Sequence, residues 1–250
     1  MTTVTTFDHI AIATHRMADA AAVLMGELGG LPAFGGDSGP YRFGQWRFDN
    51  GARLEVLEPA GVGGFLHRFL AQHGPGVHHV TFRVPDLRAA CARAEAAGYG
   101  IVGYDDANPY WQEAFLHPRQ AMGIVVQLAQ SRPAPPGRGP RWSPPSVPAD
   151  VPPAVRLLGL RLSARDDDRA RRQWVEVLQG EPSDGPAGEL VVRWPRSPLR
   201  LVVEVDPGAP EGAVCLEVAA DRAPLPDGPH PVLGVTIRPV KDEPRDGGSA

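Results

Sequence analysis

The sequence predicts an α+β fold built from paired β-α-β-β-β modules, followed by a second, degenerate copy of the same domain. Three observations carry this: an internal repeat in the first half, a proline-rich break after it, and a weaker recurrence of the repeat beyond the break.

The repeat aligns "FDHIAIATHRMADAAAVLMGELGG" with "VHHVTFRVPDLRAACARAEAAGYG". Each copy reads as a short strand, a brief turn and an alanine-rich helix ending at glycine, roughly Met17 to Leu28 in the first and Asp86 to Ala97 in the second. "YRFGQWRFDNGARLEVLEP" then reads as a hairpin turning at Asp49-Asn50-Gly51, and "EAFLHP" with "MGIVVQLAQ" is the corresponding pair in the second copy. The stretch 131–153, "SRPAPPGRGPRWSPPSVPADVPP", holds nine prolines, which exclude a regular helix or interior strand and predict a linker that is either an extended tether or a wrapping segment. Beyond it, "VRLLGLRLSA", a helix near "RARRQWVEVLQG" and "GELVVRWPRSPLRLVVEVD" make a third module. In a fourth, "GAVCLEVAAD" and "VLGVTIRPV" are strands, but "RAPLPDGPHP" replaces the helix between them. The predicted organisation is therefore 1–130, a linker 131–153, a degenerate domain 154–241 and a flexible tail 242–250.

Composition narrows the function. A net charge of −4 gives no general electrostatic case for nucleic acid or an anionic membrane. Lys241 is the only lysine, which argues against Schiff-base chemistry or a phosphate loop ending in Gly-Lys. Cys91 and Cys215 have no cysteine partner at metal-ligand spacing. The first residues show no secretory pattern and no apolar run is long enough to span a bilayer, so a cytoplasmic location is expected. "GGDSGP" around Ser38 is read as a glycine-rich loop, because too little chain precedes it to hold the rest of a protease triad.

The repeat also predicts which residues share an environment. His9 and His79 sit at equivalent places on the first strand of each copy, and Glu55 and Gln127 on the last. The intervals agree, 46 residues from His9 to Glu55 and 48 from His79 to Gln127. Alternation puts Ile10, Ile12, Val80, Phe82, Val126 and Leu128 on the opposite faces, where helices would cover them. By the same alternation His78, in the place of Asp8, faces away from His79. Two imidazoles, a carboxylate and a carboxamide converging on one cavity suit a divalent metal, with manganese, iron(II), cobalt, nickel and zinc all compatible.

These motifs resemble the vicinal oxygen chelate superfamily, which includes glyoxalase I, extradiol dioxygenases, bleomycin-resistance proteins and, as the nearest likeness, methylmalonyl-CoA epimerase. The resemblance covers about residues 6–130 and rests on "FDHIAIAT", "RLEVLEP", "FLHRFLAQHGPGVHHVTFRVPDL" and "FLHPRQAMGIVVQLAQ", in that order. It implies a cup-shaped sheet around the metal, with His9, Glu55, His79 and Gln127 at the ligand positions. The epimerase and glyoxalase I patterns carry glutamate where this chain has Gln127, and a carboxamide cannot take up a proton at neutral pH. Glu113 and His117, on "NPYWQEAFLHP", are the alternative acid–base groups. Trp46, Tyr110 and Trp111 are candidate pocket aromatics, and His15, His67, His73 and His230 are read as solvated.

In the C-terminal domain Gly159 falls where His9 would be, Val214 where His79 would be, and about Val203 and Arg238 at the other two places, so no metal is expected there. It either completes a pseudo-dimer or walls the pocket. The expected activity is isomerase or lyase chemistry on a small oxygenated substrate through a metal-stabilised enolate. The alternative is a protein that sequesters a small molecule in the same cup. No nucleic-acid or membrane partner is expected, and the chain is read as a pseudo-dimeric monomer or a homodimer.

Overall fold

A computed structural model describes residues 3–135, 142–219 and 228–241. The first half runs β1 (Thr6–Ala13), α1 (Met17–Gly26), β2 (Leu31–Asp37), β3 (Tyr41–Arg47), β4 (Arg53–Pro59), α2 (Phe65–His73), β5 (Gly76–Arg83), α3 (Leu87–Ala96), β6 (Ile101–Asp105), β7 (Trp111–Leu116) and β8 (Val125–Ser131). The second half runs β9 (Arg156–Ala164), α4 (Asp167–Arg171, continued by a π-helical turn Arg172–Val177), β10 (Glu181–Asp184), β11 (Leu190–Arg193), β12 (Arg200–Val205), β13 (Gly212–Ala219) and β14 (Thr236–Pro239). The helices end close to where glycine and capping residues predict. Asp86, for example, accepts a hydrogen bond from the Ala89 amide at 2.9 Å and caps α3. Helix α2 is an addition to the predicted pattern.

Two sheets result. The first has eight strands in the order β2-β3-β4-β1-β5-β8-β7-β6, and the second has six in the order β10-β11-β12-β9-β13-β14. In the first, β1 and β5 are antiparallel neighbours at the centre, with β4 parallel to β1 on one side and β8 parallel to β5 on the other. One face of this curved sheet is apolar. Ile10, Ile12, Val80, Phe82, Val126 and Leu128 pack there with Leu24 and Leu28 from the α1 segment and with Leu87, Ala90 and Ala94 of α3. The opposite face is the inside of a cup. At one end of it Ala11, Ala13 and Leu57 pack against Leu66 and Leu70 of α2.

The main core is continuous between the halves. Trp194 meets Phe7 at 5.7 Å and Phe82 at 4.8 Å between ring centroids, and Trp174 meets Phe82 at 6.1 Å. Polar bonds reinforce the contact: the buried Ser197 hydroxyl donates to the Phe7 carbonyl at 2.6 Å, and Arg93 Nε donates to the Val177 carbonyl at 2.7 Å. The described part of 131–153 is not a free tether. The Val155 amide just beyond it donates to the Leu28 carbonyl at 2.9 Å, and Trp142 stands edge-on to Trp46 at 6.3 Å. A Cβ at Gly35 would meet the Trp142 ring at 2.6 Å, so glycine lets the strap lie against β2. The tail 242–250 and most of "RAPLPDGPHP" lie outside the described residues.

Strand pairing refines the equivalences in the second sheet. Cys215 pairs with Arg161 as His79 pairs with Ala11, so Cys215, not Val214, holds the place of His79. Val202, opposite Arg161, rather than Val203, holds the place of Glu55. Gly159 and Arg238 are as predicted. A Cβ at Gly159 would fall 1.9 Å from the Arg200 carbonyl oxygen, which excludes any side chain at the place of His9. This face is filled by ions instead. Glu217, fully buried, accepts from Arg161 at 2.8 Å and Arg200 at 2.9 Å, and Arg161 also reaches Glu204 at 2.7 Å and Glu189 at 3.0 Å.

Removing one partner from a buried ionic cluster strands the others. Glu217→Ala should therefore cost about 3–5 kcal/mol in equilibrium urea unfolding, whereas Arg16→Ala, at an exposed position, should change stability by less than about 0.5 kcal/mol.

Candidate metal centre and substrate cup

Each central strand carries one extra residue. Phe7 pairs with Phe82 and His9 with Thr81, which leaves Asp8 as a bulge in β1. Ala11 pairs with His79 and Ile12 with Val77, which leaves His78 as a bulge in β5. A bulge breaks strict alternation and re-aims side chains. Phe7 therefore enters the core while His9, two residues on, faces the cup.

The same device corrects the reading of His78. Its side chain does not turn away from His79: the two Nδ1 atoms are 3.0 Å apart and both rings line the cup. His78 sits between Phe65 and Phe69 of α2, at ring distances of 5.4 and 5.0 Å. Asp8 does the corresponding thing for His9, with Oδ2 at 2.7 Å from Nδ1.

On the cup floor, ligand atoms of His9, Glu55 and His79 all lie within 4.8 Å of one another, and this is the one such group among the described residues. Glu55 Oε2 is 3.5 Å from His9 Nε2, and Oε1 is 3.8 Å from His79 Nε2. All three residues are buried. Gln127, also buried, is joined to them through Thr81, whose hydroxyl lies 3.0 Å from His9 Nε2 and donates to Gln127 Oε1 at 2.5 Å. Gln45, facing Glu55 across the β3–β4 pair, donates to Glu55 Oε2 at 2.8 Å.

The protonation pattern follows from these contacts. Burial pushes the His9 imidazole toward the neutral form, but the Glu55 charge and the Asp8 hydrogen bond outweigh it and raise the pKa to about 9. His79 is held neutral, well below its ordinary value, by burial and by the neighbouring His78 and His9. Burial likewise lowers His78 to about 4. The Asp8 carboxyl is buried, which alone would raise its pKa, yet the His9 hydrogen bond and the charges of His9, Arg53 and Arg83 hold it below the usual range.

Two features of this donor set fit a divalent ion. His79 Nε2 is buried and makes no well-formed hydrogen bond among the described residues, and such an atom is costly unless something completes it. Asp8 fixes the His9 tautomer so that Nε2 faces Glu55, the carboxylate–histidine arrangement that orients metal-binding imidazoles.

Above the floor lies an open cavity of roughly 1300 Å³. Glu113 lines it, accepting from Gln127 Nε2 and Trp111 Nε1, each at 2.7 Å. His117 does not line it: the residue lies in an exposed turn after β7, where its Nδ1 accepts from the Arg119 amide at 3.2 Å. Tyr110 and Trp111 line the cavity, whereas Trp46 is wholly buried in the core. His230 is buried rather than solvated, with Nε2 at 3.4 Å from Glu27. Asp8, Gln45 and Thr81 escape sequence reasoning. Their signal is cross-strand register, which the repeat alone does not supply.

Residues 8–115 match the family described as the Glyoxalase/Bleomycin resistance protein/Dioxygenase superfamily. The matched stretch runs from the bulge of β1 into β7 and so includes His9, Glu55 and His79. An ethylmalonyl-CoA/methylmalonyl-CoA epimerase of Cereibacter sphaeroides is 32% identical over 85 residues, which are 31% of this chain. The chain spans 61% of the length of that curated relative. A methylmalonyl-CoA epimerase from Mycobacterium tuberculosis aligns with 53% of this chain and 93% of its own, at 24% identity and a TM-score of 0.47. A 4-hydroxymandelate synthase variant from Streptomyces coelicolor shares the fold over 88% of this chain and 72% of its own, at 14% identity and a TM-score of 0.58. That last similarity extends through both sheets. No helix among the described residues is long and apolar enough to cross a membrane.

Below pH 9 a cation entering the cup must displace a proton from His9. Its apparent affinity should therefore rise about tenfold per pH unit between pH 6.5 and 9 and level off above, as read by competition with a chromophoric chelator. Asp8→Asn keeps the shape but withdraws the carboxylate, and should weaken metal binding about 10- to 100-fold in the same assay at pH 9.

Proposed function

We propose that the chain is a metal-dependent enzyme of the vicinal oxygen chelate type, with isomerase or lyase chemistry on a small oxygenated substrate through an enolate. The observation that carries this reading is the buried Nε2 of His79, without a well-formed hydrogen bond among the described residues, facing at 3.8 Å a carboxylate already shared with His9. His9, Glu55 and His79 are the proposed ligands, with Gln127 Oε1 as a fourth, drawn from manganese, iron(II), cobalt, nickel or zinc chemistry. A cation held there would polarise adjacent substrate oxygens as a Lewis acid and stabilise negative charge developing on them.

The proton falls to Glu113. Gln127 cannot accept it, because a carboxamide is not basic at neutral pH. Its Nε2 instead donates to Glu113 Oε2 and, with Trp111, holds that carboxylate against the cavity. His117 drops out of the proposal, since it lies outside the cavity lining. Burial raises the Tyr41 phenol to about 12, so it remains a hydrogen-bond donor on the opposite wall.

One observation favours the second reading, sequestration of a small molecule without turnover. Both donors on Glu113 converge on one carboxylate oxygen, Oε2, and tie that side chain into the wall of the cup. The two sheets are proposed as glyoxalase-like modules, 1–130 and 154–241, in a pseudo-dimer. A cytoplasmic location is part of the same proposal.

Protein purified without chelator should carry close to one equivalent of transition metal, and His79→Ala should lose it. Methylmalonyl-CoA, taken from the relative's name, is the first substrate to try: in D2O its C2 proton should exchange, followed by mass spectrometry. Glu113→Gln should slow that exchange about 10²- to 10⁴-fold without abolishing metal binding. Bound metal and bound thioester with no exchange would favour sequestration.

A further inference from the structure

One rim of the cup is basic. Arg53 opens β4, Arg83 closes β5 and Arg132 follows β8, and all three line the cavity. A fourth lining arginine, Arg196, comes from the turn between β11 and β12 of the other sheet. Asp37, Glu55 and Glu113 also line the cavity, but none of them is paired with these four arginines among the described residues. Arg53 and Arg83 share the single carboxylate of Asp8, which is also bonded to His9. Arg196 donates to the Thr3 hydroxyl at 3.1 Å, and the Arg132 guanidinium has no side-chain partner among the described residues. In a chain of net charge −4, that concentration of cations at one cavity mouth is local.

The placement of Arg196 is built. Its φ is +59°, a left-handed conformation that a non-glycine residue adopts at a cost of order 1 kcal/mol. The neighbouring residues hold it there. The Ser197 amide donates to the Trp194 carbonyl at 3.1 Å, the Ser197 hydroxyl donates to Phe7 in β1, and Trp194 packs on Phe7 and Phe82. The second half thus delivers a guanidinium to the first half's cavity. The opposite wall is aromatic. Phe34 is 5.7 Å from Phe43, and Tyr41 is 5.5 Å from Phe65, with Phe34 and Phe65 notably exposed for their size.

We propose that the cup binds a molecule with an apolar body and an oxyanion group, carboxylate or phosphate, and that Arg53, Arg83, Arg132 and Arg196 grip the oxyanion. Planar guanidinium groups suit such anions because each can donate two parallel hydrogen bonds. On this view the C-terminal half completes the ligand site of the N-terminal half. The proposal rests on reading the cup as the substrate site, but not on the presence of metal.

Two dyes of nearly the same body test it: 8-anilinonaphthalene-1-sulfonate, an anion, and N-phenyl-1-naphthylamine, its uncharged counterpart. Fluorescence titration of the full chain should show the sulfonate bound more tightly, with its affinity falling steeply as salt rises. Arg132→Gln and Arg196→Gln should each weaken the sulfonate about tenfold and leave the neutral dye within twofold. Arg196→Lys, which keeps the charge, should recover part of the loss, and Arg16→Ala should behave as the parent. Displacement by inorganic phosphate or by benzoate identifies the oxyanion and supports the proposal; displacement by neither overturns it. Equal binding of both dyes, or indifference of the sulfonate to both arginine substitutions in variants whose circular dichroism matches the parent, would also overturn it. The titrations are repeated after EDTA treatment. Persistence of the arginine dependence in metal-free protein separates failure of the metal assignment from failure of this one.

Discussion

Strict alternation along β1 and β5 would bury the Asp8 carboxylate among the core side chains around Ile10 and would leave Phe7 in the cup beside His9. One extra residue in each strand, Asp8 in β1 and His78 in β5, prevents this. The two bulges are related as the repeats are, and each turns its residue toward the Nδ1 of the histidine that follows. The rest of the site depends on that offset. It sets His9 and His79 on one floor with Glu55, gives Asp8 access to both Arg53 and Arg83, and lets His78 close the cup against α2. The buried Asp8 carboxylate remains charged because it has three cationic or proton-donating neighbours. Floor and rim are therefore coupled through one side chain.

The second sheet keeps the same irregularities with a different occupant. Its pairing is offset at Leu158 and at Val214, the positions that correspond to Asp8 and His78. Gly159 leaves no room for a side chain, and the Arg161 guanidinium occupies the face where the first sheet gathers donors. A fixed organic cation surrounded by Glu217, Glu204 and Glu189 replaces a cluster of groups with room for a metal. Freed of that task, this half contributes core, through Trp174 and Trp194, and a wall, through Arg196.

The common face of His9, Glu55, His79 and Gln127 was legible because period-2 alternation and a repeat interval depend only on local geometry. The fold class was legible for the same reason. What failed was whatever needed register. A bulge adds one residue without changing the apolar pattern, so His78 looked like an outward residue, and the equivalents of His79 and Glu55 in the second sheet were displaced by one, to Val214 and Val203. Asp8, Gln45 and Thr81 enter the site across strands. His117 carries the right chemistry, but its side chain is exposed in the turn after β7 and does not line the cup, although Leu116 and Pro118 on either side do. Arg196 was beyond reach, since its role follows from the docking of Ser197 and Trp194 on β1 and β5.

The central claim, that the floor of the first cup is a metal centre, is tested most directly by anomalous diffraction from crystals grown with manganese or cobalt and collected on either side of the metal's absorption edge. The account predicts one strong difference peak bounded by His9, Glu55 and His79, with Gln127 Oε1 turned toward it and none at Arg161. No peak between those three residues in crystals grown at saturating metal, or a peak held by other side chains, would contradict it.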